Sequence, residues 1–131
     1  MPQFDLRDVK KLADEYFEGH KTVWFAAPSR SINYVVKVFH CSGKEAERIV
    51  LEGLKLLEKE DFSRSFLQWE DYLVDEYGLE NYMGHNWYVK FTINNEGGAK
   101  ILDEISFHPL EKSMSLSDGR TLDPTYEPKE D

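Results

Sequence analysis

From Trp87 to Ile93 apolar and polar residues alternate, with Trp87, Val89, Phe91 and Ile93 on one side and Tyr88, Lys90 and Thr92 on the other. The stretch Asn94-Asn95-Glu96-Gly97-Gly98 follows, after which Ile101, Ile105 and Phe107 share one face and Glu104, Ser106 and His108 the other. A period of two on both sides of a Gly-Gly loop predicts a β-hairpin with one buried face. Burial also sets the register, because a slip of one residue would turn every apolar side chain outward. The predicted pairing places Trp87 opposite Phe107, Val89 opposite Ile105 and Ile93 opposite Ile101. It leaves Tyr88, Lys90, Ser106 and His108 together on the other face, where a phenol, an ammonium and an imidazole can hold a phosphate and move a proton.

The rest of the chain reads as follows. Asp5 caps a helix from Leu6 to about Glu18, with Leu6, Val9, Leu12, Ala13, Tyr16 and Phe17 on one stripe and Gly19 as its stop. Thr22 to Ala26 is a short strand, and Ile32 to His40, rich in β-branched and aromatic residues, is predicted as another. Ser42 with Glu45 is a capping-box pattern that opens a helix to about Glu60. Asp61 to Tyr82 is aromatic and acidic and predicts short helical turns. Met114 to Leu122 adds a strand around the turn dipeptide Asp118-Gly119. Residues 123–131, charged and Pro-containing, are expected to form a loose acidic tail, dispensable for folding. The expectation is one α+β domain over residues 1–122, with helices packed against an antiparallel sheet.

Composition narrows the chemistry. The single cysteine, Cys41, excludes an intrachain disulfide and fits a reducing, cytoplasmic setting. No stretch is apolar enough to cross a membrane, and Met-Pro-Gln-Phe-Asp lacks the pattern of a signal peptide, so no membrane partner is expected. Residues 1–60 hold ten Lys/Arg and ten Asp/Glu, whereas residues 61–131 hold six and fifteen, so the net charge of -9 lies in the second half. A nonspecific nucleic-acid binder is basic, so RNA chemistry here must rest on a small local positive patch. There is no glycine-rich phosphate loop, metal-binding His-Glu-x-x-His or nucleophile elbow, and neither a cofactor nor a metal is expected.

Among the histidines, His20 at a helix end reads as structural, and His40 beside Cys41 lacks the spatial relation a dyad needs. His85, in the turn before the hairpin, is placed to line its mouth. His108 is the strongest candidate, ending a strand on the polar face before Pro109. Arg64 interrupts an acidic region, with Glu70 or Asp61 as alternative structural partners. Asp75-Glu76 reads as solvated surface charge.

Several short segments resemble the motility quorum-sensing regulator (MqsR) family of toxins from bacterial toxin–antitoxin pairs. Val9-Lys10-Lys11-Leu12 is similar to the family's first helix, and Leu57 with Asp61-Phe62-Ser63-Arg64-Ser65 to its Leu…Asp-Phe-Tyr-Lys-Ser segment. Asp75-Glu76-Tyr77 matches Asp-x-Tyr, Tyr88-Val89-Lys90 matches Tyr-x-Lys, and Ile105-Ser106-Phe107 matches the closing Val-Ser-Phe. Divergent relatives end in Ser-Phe-His-x-x-Glu, as do Ser106-Phe107-His108 and Glu111 here. The match covers about two-thirds of the chain. Arg64 stands where a lysine is usual, His108 where the C-terminal lysine sits, and Val74 in place of a glutamine.

The resemblance implies a RelE-like α+β fold and an mRNA interferase that cleaves RNA, including ribosome-associated mRNA, and is held in check by a cognate antitoxin. It places His108, Tyr88 and Arg64 in catalysis, with Lys90 and Glu111 binding substrate and no metal required; His85, from its place at the hairpin mouth, is expected to bind substrate as well. Metal-free cleavage needs a base for the 2′-hydroxyl, an acid for the 5′-oxygen and cations for the phosphate. Histidine serves either proton role, and Arg64 and Lys90 supply charge. A competing reading is an acidic, immunity-type inhibitor of a basic nuclease, with Phe62, Phe66, Trp69, Tyr72, Tyr77 and Tyr82 as aromatic anchors. The two differ at Arg64, Lys90 and His108: an enzyme needs a positive pocket there, an inhibitor an unbroken acidic face.

Overall fold

The structure, a computed structural model, describes residues 2–19, 23–26, 29–68, 72–96 and 99–127. Asp5 accepts from the Arg7 amide and caps helix α1 (Leu6–Phe17), and Gly19 follows its end at φ 79°. Strand β1 (Val23–Ala26) leads to α2 (Ser29–Phe39). Ser42 caps α3 (Gly43–Leu56) by accepting from the Glu45 amide, as its sequence pattern predicts. A 3₁₀ turn (Lys59–Asp61) then opens a run of long strands: β2 (Phe62–Gln68), β3 (Tyr72–Tyr82), β4 (His85–Glu96) and β5 (Ala99–Pro109).

These strands form a five-stranded sheet in the order β1-β5-β4-β3-β2, an antiparallel meander closed at one edge by β1, which runs parallel to β5. The fold is α+β, as expected. One face of the sheet meets the helices. Val9, Leu12 and Ala13 of α1, Val35 of α2, and Val50, Leu51 and Leu54 of α3 bury Tyr77, Leu79, Trp87, Val89, Phe91, Leu102 and Phe107. Helix α3 packs closely on the sheet at Gly53, where a Cβ would stand 2.8 Å from the Phe107 ring.

Two segments correct the sequence reading. The run expected as a strand from Ile32 to His40 is the helix α2. Ile32, Val35, Val36 and Phe39 recur at helical spacing and pack on the core. The helix penalty of β-branched residues, below about 0.7 kcal/mol each, is smaller than the roughly 1.5–3 kcal/mol gained by burying one. The second correction covers Asp61 to Tyr82, expected as helical turns, where β2 and β3 form a hairpin with a register shift between Phe62 and Arg64. Residues 74–79 of β3 are all buried, with helices on one face and the segment 110–122 on the other, so no apolar–polar alternation marks the strand in the sequence.

The β4–β5 hairpin keeps the predicted faces on β4 and at the Ser106–His108 end of β5, but not the predicted partners. Trp87 lies opposite Pro109, Val89 opposite Phe107 and Ile93 opposite Leu102, with a bulge between Lys90 and Phe91. Trp87, Val89, Phe91 and Phe107 are buried as predicted. Beyond the bulge Leu102, not Ile101, enters the core. The loop glycines Gly97 and Gly98, and the Ile105 side chain, lie outside the described residues.

Met114–Ser115 (β6) and Thr121–Leu122 (β7) pair as a separate two-stranded ribbon, with Gly119 at φ 96° in its turn. The ribbon packs on the sheet face opposite the helices, where Leu110, Met114, Leu116 and Leu122 cluster against Tyr88. Gly78 makes room for it, since a Cβ there would stand 2.8 Å from Leu122 Cδ1 and 3.0 Å from Leu116 Cδ2. Arg120 ties the ribbon down, donating to Asp118 at 2.7 Å, Asp61 at 2.8 Å and Glu80 at 3.1 Å.

The segment after Leu122 is not loose as far as Tyr126. The Asn86 amide donates to Thr125 Oγ1 at 2.9 Å and the Asn86 side chain to the Asp123 carbonyl at 2.9 Å. Tyr126 stands edge-on to His85, with ring centroids 5.3 Å apart. Residues 128–131 lie outside the described residues.

Candidate functional site

Sheet register aligns two rows of side chains on the face away from α1 and α3. Arg64, Glu76, Lys90 and Ser106 are cross-strand neighbours on β2, β3, β4 and β5, and Gly78, Tyr88 and His108 form the next row. With the segment Leu110–Ser115 as one wall, all of these but Gly78 line an open cleft of about 480 Å³. Period-two alternation fills this face with polar groups while the apolar set faces the helices.

His108 is held on two sides. Its ring stacks on Tyr88 at 5.1 Å with an interplanar angle of 16°, and Tyr34 of α2 lies on it at 5.5 Å and 40°. Nδ1 lies 2.7 Å from the Pro109 carbonyl oxygen, which can only accept, so Nδ1 carries a proton. In the neutral ring the lone pair is then on Nε2, the nitrogen left for proton transfer. Tyr34 Oη donates to Glu111 Oε1 at 3.5 Å, tying α2 to the cleft wall.

The row from Arg64 to Ser106 centres on Glu76, only 6% exposed. Its carboxylate accepts from Arg64 Nε at 3.2 Å and from the Tyr88 hydroxyl. Burial first, and then this bond to a carboxylate, push the Tyr88 phenol well above its ordinary pKa, so it stays neutral and donates its hydrogen bond to Glu76. The Arg64 guanidinium lies 4.7 Å from the Phe66 ring centroid and Lys90 Nζ 5.8 Å from it. Lys112 also lines the cleft. Arg64, Lys90, Lys112 and His108 thus stand against Glu76 and Glu111, a cationic spot within the acidic half of the chain.

Of the residues predicted for a site, the fold brings together Arg64, Tyr88, Lys90, His108 and Glu111. His85 is not among the cleft residues; it lies on β4 in register with Tyr82, its ring edge-on to Trp87 and Tyr126. His40 is exposed at the end of α2 with φ 54°, and His20 lies outside the described residues. Glu76 and Tyr34 join the site without having been singled out by the sequence. Asp75 and Glu76, predicted as surface charge, are both buried. Asp75 accepts from the Gln3 and Phe4 amides and from Ser65 Oγ. Arg64 pairs with Glu76 rather than Asp61, and Glu70 lies outside the described residues.

Among the described residues no cluster of His, Cys, Asp and Glu is placed to hold a metal ion, and no helix is long and apolar enough to cross a membrane. No protein-family model matches the chain, and neither a curated protein nor a solved structure matches it.

Proposed function

We propose that the protein is a toxin-like ribonuclease of a toxin–antitoxin pair, which cleaves RNA by general acid–base chemistry in the cleft. The observation that carries the reading is His108, ring-stacked and hydrogen-bonded into one orientation beside the Arg64–Glu76–Lys90 row. The 2′-oxygen attacks phosphorus, the P–O5′ bond breaks, and the products are a 2′,3′-cyclic phosphate and a 5′-hydroxyl. One of the two proton transfers falls to Nε2 of His108 and the other to solvent in the open cleft. Arg64 and Lys90 neutralise the charge that grows on the phosphoryl oxygens. Tyr88 acts through its ring, as a positioning residue for His108. The RNA is the substrate, free or ribosome-bound, and a cognate antitoxin is the protein partner.

The cationic cleft supports this reading over the acidic inhibitor. So does the placement of the aromatic residues, since Phe62, Tyr77 and Tyr82 are buried in the core and Phe66 lies beneath Arg64 and Lys90. The side chains of Trp69 and Tyr72 lie outside the described residues.

The test is cleavage of a long unstructured RNA, without added metal, by the wild type and by variants whose folding is confirmed by thermal melts. His108→Ala should lose about 10²–10⁴-fold in rate. Arg64→Ala should fall comparably, and His40→Ala should be silent. A wild type that cuts no RNA even with ribosomes present, yet binds a basic nuclease tightly, would replace this reading with the inhibitor. Equal rates for wild type and His108→Ala would remove His108 from the mechanism.

A further inference from the structure

The acidic residues of this chain leave one long gap. From Gly19 to Lys44 there is no Asp or Glu, while Lys21, Arg30, Lys37 and Lys44 all fall within it. Helix α2 lies inside that gap and carries two cations and no acid. Arg30, Asn33, Tyr34 and Lys37, spaced at one, four, five and eight along the helix, share a face and line a shallow depression of about 460 Å³. Arg30, Asn33 and Lys37 are exposed.

This depression adjoins the cleft through one residue, Tyr34. Tyr34 lines the depression and makes one contact to the His108 ring and another to Glu111, both residues of the cleft, and the Arg30 guanidinium lies 5.7 Å from the Tyr34 centroid. Helix stability does not explain Arg30. It sits in the first turn of α2, where the helix dipole disfavours a cation, whereas Lys37 in the last turn is where a cation is favoured. The contact of Arg30 with Tyr34, four residues along the same helix, holds the exposed guanidinium beside the residue that touches His108, next to a site read as binding phosphate.

We infer that the Arg30–Asn33–Tyr34–Lys37 face of α2 is a second subsite, which holds the sugar–phosphate backbone of single-stranded RNA as it leaves the cleft past His108. The inference rests on the ribonuclease reading and adds the strand's path to it. The cleft takes the scissile phosphate, Tyr34 marks the junction, and Arg30 and Lys37 take flanking phosphates. Asn33 supplies an amide for a ribose hydroxyl or base edge. Such contacts to a backbone add affinity without sequence preference.

The test is fluorescence anisotropy with two labelled oligoribouridylates, one long enough to leave the cleft and one a dinucleotide, bound to the full chain and to an Arg30→Ala/Lys37→Ala double variant. The long strand should bind the double variant several-fold more weakly. Its slope of log K against log salt should fall by about 1.4, from two contacts at roughly 0.7 each for a single strand. Dinucleotide affinity should not change. Arg30→Ala alone should weaken the long strand while leaving the melting temperature unchanged or higher, which a residue retained for folding would not do.

Equal affinity and salt slope for the long strand in both proteins, with cleavage intact, would overturn the subsite and leave the ribonuclease reading standing. A wild type that binds neither oligonucleotide would sink both. A double variant that loses binding to polyglutamate but not to the long RNA would make α2 a protein-docking face and overturn the inference.

Discussion

Tyr88 does two separable things: its ring lies flat on His108 and its hydroxyl satisfies the buried carboxylate of Glu76. Removing each should read out differently. Tyr88→Phe keeps the stack but leaves a Glu76 oxygen short of a donor, so stability should fall by roughly 1–3 kcal/mol while cleavage stays near wild type. Tyr88→Ala removes the platform, and cleavage should drop with it. Urea melts and single-turnover cleavage separate the two, and a Tyr88→Phe protein that is stable but inactive would return the hydroxyl to the chemistry. At this scale the sequence reveals only part of the site. Tyr88, Lys90, Ser106 and His108 can be read because strand alternation places them on one face. Glu76 cannot, since a carboxylate is buried by its partners, and Arg64 and Tyr88 reach it only once three strands have paired.

Among the elements, those with local signals were legible. Asp5 and Ser42 cap α1 and α3 where their side chains predict, and alternation marks β4 and β5. Helix α2 was not, because its β-branched residues carry strand propensity while their spacing is helical, and tertiary packing decided. Contact across elements also predicts against propensity at Gly53. Gly53→Ala should help an isolated helix by about 1 kcal/mol, yet its methyl would meet the Phe107 ring at 2.8 Å, a ring fixed in the core. The net effect should be destabilising by roughly 1–3 kcal/mol in denaturant melts, and a stabilised variant would show that α3 can move off the sheet. The segment after Leu122 likewise joins the body through Asn86 and His85. Deleting residues 123–131 should therefore lower the melting temperature by several degrees, at about 0.5–1.5 kcal/mol for each hydrogen bond lost. An unchanged melt would mean that the Asn86 contacts are replaced by water at no cost.

For the whole molecule, the tyrosines set a limit at high pH. Tyr16 rises from 10.0 to about 12, chiefly by donating to Glu47, and Tyr82 rises to about 12, chiefly by burial. Burial raises Tyr77 as well. Below pH 10 the folded and unfolded chains are both protonated at these groups, and their contribution is fully present. Above it the unfolded chain loses protons first, so stability should fall as pH climbs from about 10 toward 12. Urea midpoints across that range should decline, and less steeply in Tyr82→Phe; an equal slope would assign the loss to other groups.

The strand order has a consequence for time as well as for shape. Every cleft residue on the sheet sits on β2 to β5, four strands that pair with their neighbours along the chain, whereas β1 must cross most of the sequence to meet β5. Short loops close first and distant ones last. During refolding the cleft face should assemble with the hairpins, and docking of β1 should come after the rate-limiting barrier. A proline placed within β1, which would interrupt its backbone pairing with β5, should then speed unfolding and leave the folding rate nearly untouched, whereas Val89→Ala should slow folding.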